Sequence, residues 1–162
     1  VASINPNGID INGLAKLQRK IKDDKVIGPP MKRAMMRSAF TVERNAKIEA
    51  PVDAGRLRSD IKSIFEMRKS FPRWARIGPS VFYAPFVEFG TGIYGPLHRR
   101  IVPTTKKALA FTWHGVRIVV RSVKGMRPRP FMAKGVKRSR GPIRVEFDRA
   151  MADIEKAWAT RG

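Results

Sequence analysis

The sequence predicts an α+β domain, in which a small antiparallel sheet with a long β-hairpin (about 107–123) packs on a long helix (about 30–50) and a C-terminal helix. Three observations predict it. Residues 30–50 run without an internal break and carry Met31, Met35, Ala39, Val42 and Ala46 on one helical face. Two apolar alternations flank His114-Gly115, a two-residue turn whose glycine tolerates positive φ. Near the C-terminus, Ile143, Phe147, Ala150, Met151, Ile154 and Trp158 form a second helical stripe.

Taken in order, Ile11, Leu14, Leu17 and Ile21 predict a short amphipathic helix over Asp10 to Asp24. Val26 to Pro30 should break it, since Gly28 and two prolines disfavour helix. Pro30 suits the first position of the long helix, which Pro51 stops. Asp53 and Gly55 read as a structural turn, the aspartate bonding nearby backbone N–H groups and the glycine taking positive φ. Leu57 to Met67 alternates as a strand, with Trp74 to Ile77 as its partner, ended by Gly78-Pro79. Val81 to Phe89 fits either a short helix or a strand, and one or two helical turns are preferred. In the hairpin Trp113 faces Val116, Phe111 faces Ile118 and Leu109 faces Val120. That apolar face is expected to meet the long helix, because its exposure would cost roughly 25 cal/mol per Å². Arg129-Pro130-Phe131 opens the last section, where Gly141-Pro142 either interrupts one helix or separates two.

At 162 residues the chain suits a single domain over 1–162, with a flexible N-terminus (1–10) and a flexible loop insertion (91–105). A hydrophobic content of 43% is too high for a wholly disordered chain. There is no cysteine for disulfides or thiolate metal sites, no apolar run long enough to span a membrane, and no signal-peptide pattern in the first residues.

The net charge is +21, and its distribution matters more than its sum. Between Glu88 and Glu146 lies no acidic residue but fourteen Lys and Arg, a stretch that repels itself unless an anionic partner lies opposite. Arg99, Arg100, Lys106, Lys107, Arg127, Arg129, Lys137, Arg138 and Arg140 are therefore candidate interface or DNA-facing residues. Phosphate contacts by such residues add salt dependence with little sequence preference, and no nucleic-acid recognition motif is present. The bland alternative is a basic surface that only keeps the protein in solution.

Catalytic and cofactor readings fare poorly. Gly90, Gly92 and Gly95 satisfy G-x-G-x-x-G, but Pro96 and a basic loop follow where a helix N-terminus is required, so a flexible loop is the simpler reading. His98 and His114 have no flanking acid and no cysteine to complete a triad or metal site. Asp53, Asp60 and Glu88 could in principle hold a nuclease Mg²⁺, yet each has a simpler use: a turn, a solvated strand face, and a local ion pair or cap. No enzymatic activity, cofactor or metal is expected. Glu88 and Phe89 are candidate subunit contacts, because this last acid before the basic interval sits among phenylalanines, where an arginine of the same or a neighbouring chain could meet it.

Three segments carry a resemblance. Ala50 to Ile61 reads APVDAGRLRSDI, Tyr83 to Gly92 reads YAPFVEFGTG, and Arg127 to Gly135 reads RPRPFMAKG. In order and spacing they resemble the small neck proteins of long-tailed bacteriophages, variously labelled head-tail joining, tail-completion or morphogenesis proteins. The matching positions are Pro51, Asp53, Gly55, Leu57 and Arg58, then Tyr83, Ala84, Val87, Glu88, Phe89, Gly90 and Thr91, then Pro130, Phe131 and Met132. The loop from Thr91 to Thr105 departs from the family pattern, and the basicity exceeds it. The resemblance implies a non-enzymatic virion protein at the neck, assembled in the host bacterial cytoplasm as a homo-oligomeric ring. Six-fold symmetry is expected, with twelve-fold as the alternative. Its implied partners are connector, tail-terminator or tail-tube proteins and, non-specifically, packaged double-stranded DNA. Set against this is a free nucleic-acid-binding protein without sequence preference, suggested by charge alone.

Overall fold

The computed structural model describes residues 24–160 apart from 54, 69 and 70. The architecture is α+β, as the periodicities predict: two small antiparallel two-stranded sheets with a long helix and a C-terminal helix. In chain order the elements are α1 (Asp24–Glu49), α2 (Arg56–Asp60), β1 (Lys62–Arg68), β2 (Phe71–Gly78), α3 (Ala84–Phe89), a 3₁₀ turn (Gly92–Tyr94), β3 (Leu109–Trp113), β4 (Val116–Val120) and α4 (Phe131–Thr160). The helix expected over Asp10 to Asp24 and the N-terminal ten residues lie outside the described residues, except that Asp24 opens α1.

Helix α1 corrects one expectation. Val26 to Pro30 does not break the chain; Pro29 and Pro30 lie inside the helix near its start. They are the sixth and seventh residues of the helix, past the four N-terminal amides that lack partners in any helix, and Val26, Gly28 and Pro30 are buried. Farther on, Ala34, Ser38, Val42, Ala46 and Ala50 recur every four residues and are all buried. This stripe of small side chains lets other backbone come close.

The second correction concerns Leu57 to Met67. Its first part is the short helix α2, and the strand starts only at Lys62. Gly55, at φ 74°, turns the chain into α2, and Leu57 and Ile61, four apart, are both buried. Asp60 does not lie on a solvated strand face. Its carboxylate accepts the backbone N–H of Ser80 and, at 2.9 Å, that of Val81. From Lys62 the expected alternation does become a strand, and β2 is its partner. Val81 to Phe89 contains the helical turns of α3.

The hairpin forms in the predicted register, with Leu109 opposite Val120, Phe111 opposite Ile118 and Trp113 opposite Val116. His114 and Gly115 both take positive φ, 48° and 80°, which matches the right-handed twist of the flanking strands. The burial expected of the apolar face holds only at its base. Leu109, Ile118 and Val120 are half-buried, whereas Trp113 and Val116 at the tip are 62% and 64% exposed. Beyond the ladder, Ile101 bridges to Val123. Helix α4 is continuous through Gly141-Pro142.

The residues group into two compact units. One comprises Phe40–Ser63 and Ile77–Arg140. Its apolar core is Ala46, Ala50, Leu57, Ile61, Ala84 and Phe131, with Ile77, Val81, Tyr83, Val87 and Met132 packed around it. The other comprises Ile64–Arg76 with the described parts of Val1–Ala39 and Gly141–Gly162. It buries Val26, Ala34, Ala150 and Ile154 and carries the surface ion pairs Arg33–Asp153 (3.0 Å) and Arg37–Glu146 (3.4 Å).

Candidate interaction surface

The three segments that carry the family resemblance meet in the core of the first unit. Ala50, Leu57 and Ile61 come from the first, Ala84 and Val87 from the second, Phe131 and Met132 from the third. Phe131, only 1% exposed, is the largest fully buried side chain of the unit. Burial of a phenylalanine contributes about 1.5–3 kcal/mol. Six of the matching positions, Leu57, Tyr83, Ala84, Val87, Phe131 and Met132, are therefore packing residues, and together they build a support.

Glu88 shows how the support is fastened. It is 8% exposed, and its two oxygens accept the backbone N–H groups of Met132 (2.9 Å) and Ala133 (3.0 Å) at the start of α4. Pro130, just before the helix, has no side-chain acceptor to cap it, so a carboxylate 44 residues away serves instead. Neither an arginine of this chain nor one of a neighbour is needed to explain Glu88. Alongside, the Arg129 N–H donates to the Val87 carbonyl at 2.8 Å. Gly135 lies against Ala46, where an added Cβ would stand 2.7 Å from the Ala46 Cα. Asn45 donates to the Ser139 hydroxyl (2.9 Å), which itself donates to the Gly135 carbonyl (2.7 Å). Glu43 accepts from Lys47 at 2.6 Å, and this hydrogen bond is the main cause holding its carboxyl below the usual carboxylate range.

From that support the chain after α3 turns outward. Gly92 (φ 64°) and Gly125 (φ 91°) cross with their backbones in contact: a Cβ on Gly92 would run into the Lys124 carbonyl, and one on Gly125 into the Thr91 carbonyl. The Thr91 and Ile93 N–H groups donate to the carbonyls of Met126 and Lys124, both at 2.9 Å. These glycines thus seat the loop on the 124–128 segment. The G-x-G-x-x-G spacing has a backbone-packing cause.

Candidate basic residues fall into several settings. Arg138 is paired with Glu49 at 2.5 Å, though most of its side chain is in solvent. The Arg127 guanidinium lies 5.3 Å from the centroid of the Tyr94 ring, a cation–π stack that holds it in place. Arg100 donates to the Ser122 hydroxyl at 3.4 Å. Arg99, Lys106, Lys107, Arg129, Lys137 and Arg140 are exposed. Large apolar side chains are exposed as well: Leu97 (73%) and Phe89 within the acid-free interval, and Phe82 (84%) and Phe86 just before it.

Of the other singled-out residues, Asp53 is exposed in the turn before α2. His98 and His114 both adopt positive φ (48°) in turns. Among the described residues no cluster of three or more His, Asp and Glu is placed to hold a metal, and no helix is long and apolar enough to cross a membrane. Sequence reasoning missed the Asp60 clamp and the role of Gly125, whose partners are distant in the chain. No protein-family model, curated protein or solved structure gives a significant match to this chain.

Proposed function

We propose that this chain is a structural, non-enzymatic component of a tailed-phage virion, a neck protein that joins or completes the tail at the head-tail interface. The observation that carries the reading is the acid-free interval between Glu88 and Glu146, which exposes both basic and large apolar side chains. Apolar groups such as Phe89 and Leu97 are costly to leave in water, and covering them favours association. The likeness of the three core-forming segments to the neck family supplies the particular assembly. In this reading copies form a ring, six-fold or alternatively twelve-fold. The basic interval faces packaged DNA or acidic rims of connector, tail-terminator or tail-tube proteins.

The test is the double reversal Arg127→Glu/Arg129→Glu in the virus that encodes the chain. Arg129 is tied to the support through its backbone N–H, which the substitution keeps, so the fold should survive. Tailless heads or free tails, seen by electron microscopy, are the expected outcome. Normal infectious particles would refute the proposal.

The fourteen bases of that interval favour one other reading, a free non-specific nucleic-acid-binding protein. It requires tight duplex binding by the purified chain, weakening steeply with salt. The neck reading requires weak binding or none before assembly.

A further inference from the structure

An open hollow of about 500 Å³ lies between the end of α3 and the loop that follows the glycine crossing. Its apolar lining includes Phe86, Leu97, Ile101 and Val102, and Arg99 and Arg100 also line it. A second hollow of about 260 Å³ shares Val102 and Thr104 with the first and extends past Lys106 to Leu109 and Ala110 at the start of β3. Strand β3 pairs with β4 alone, so among the described residues its other edge has no strand beside it. The two adjoining hollows form a trough whose lining mixes apolar side chains with Arg99, Arg100 and Lys106, and which includes Gly92 of the Gly92–Gly125 crossing.

We infer that this trough is a docking site for an extended polypeptide segment that carries apolar side chains interspersed with Asp or Glu. Charge complementarity selects the acid. No acidic residue lies between Glu88 and Glu146, and Glu88 itself is spent on the α4 amides, so Arg99, Arg100 and Lys106 have no counter-charge nearby in sequence. The apolar part of the lining selects polypeptide over nucleic acid. A duplex is too wide to enter a hollow of this size, and a phosphodiester backbone has nothing to offer Leu97, Ile101 and Val102. An extended peptide alternates its side chains, so one set meets the apolar lining while the other reaches the arginines.

The inference rests on the reading of the chain as an assembly component, but its test needs only purified protein, so the two can fail separately. The intact chain is used to select from a random-sequence peptide library, and affinities of the enriched peptides are measured by fluorescence anisotropy. Enrichment of peptides combining large apolar residues with Asp or Glu is expected. Their binding should weaken about tenfold or more in Arg99→Glu/Arg100→Glu and likewise in Leu97→Asp, as expected for lost charge pairs and lost apolar contact. Arg140→Glu, on α4 away from the trough lining, should bind as the native chain does. Circular dichroism confirms that each variant is folded. No enrichment, enriched peptides without acids, or undiminished binding by the double variant would overturn the proposal. So would duplex DNA competing for the trough with the same dependence on Arg99 and Arg100.

Discussion

Replacement of Glu88 tests whether the support is built as described. Its two oxygens accept two backbone N–H groups at 2.9 and 3.0 Å in a setting only 8% exposed. A hydrogen bond to a charged acceptor contributes about 1.5–3 kcal/mol, and truncating Glu88 takes that acceptor from two amides of the first turn of α4. Two such bonds at the low end give about 3 kcal/mol, with the favourable charge at a helix N-terminus already counted in them. Glu88→Ala should therefore lower stability by about 3 kcal/mol, or roughly 6–12 °C in Tm for a chain of this size. Glu88→Gln keeps one acceptor oxygen but turns an NH₂ toward the second amide, and should lose at least half as much. Urea denaturation followed by circular dichroism measures both, with Glu155→Gln on the exposed side of α4 as the control expected within about 0.5 kcal/mol of the native chain. If Glu88→Gln also fell within that margin, the distant carboxylate would not be capping α4.

Two further outcomes follow from the same unit. Gly92→Ala should destabilise by about 1–3 kcal/mol in the same denaturation assay, since it combines a positive φ with a Cβ driven into the Lys124 carbonyl. Glu43, held below the usual carboxylate range chiefly by Lys47, stabilises the folded state once it is ionised. That contribution is full above its ordinary value of 4.5 and is lost as the pH falls through the lowered folded value. Stability curves recorded against pH should show this acid-side loss shrink in Lys47→Met.

How much was readable in advance depended on the sequence distance between partners. The hairpin was legible because its turn, His114-Gly115, and its alternation are neighbours in the chain, and the same holds for the stripe of α4. The strand assigned from Leu57 failed for a definable reason. Leu57 and Ile61 fit a period of two and a helical spacing of four equally well, and the choice was made by Gly55 together with the burial of both side chains. The prolines of α1 misled because local propensity near a helix start was outweighed by burial of Val26, Gly28 and Pro30.

The candidate surface divides in the same way. Its charge was plain from the residue order, as was the interest of the three motif segments, but not what those segments do. Their residues look alike on paper; folded, Leu57, Ala84 and Phe131 become core, Glu88 becomes a helix cap, and Phe89 remains in solvent. Residue order alone determined the α+β class, the hairpin register and the acid-free basic interval, because each follows from contacts between near neighbours or from composition. Tertiary structure alone decided that Asp60 clamps Ser80 and Val81, that Gly92 crosses Gly125, and that an apolar trough opens beside Arg99 and Arg100. The first two join residues twenty or more positions apart, and the third depends on how the 86–104 segment folds back on itself, which no local pattern specifies.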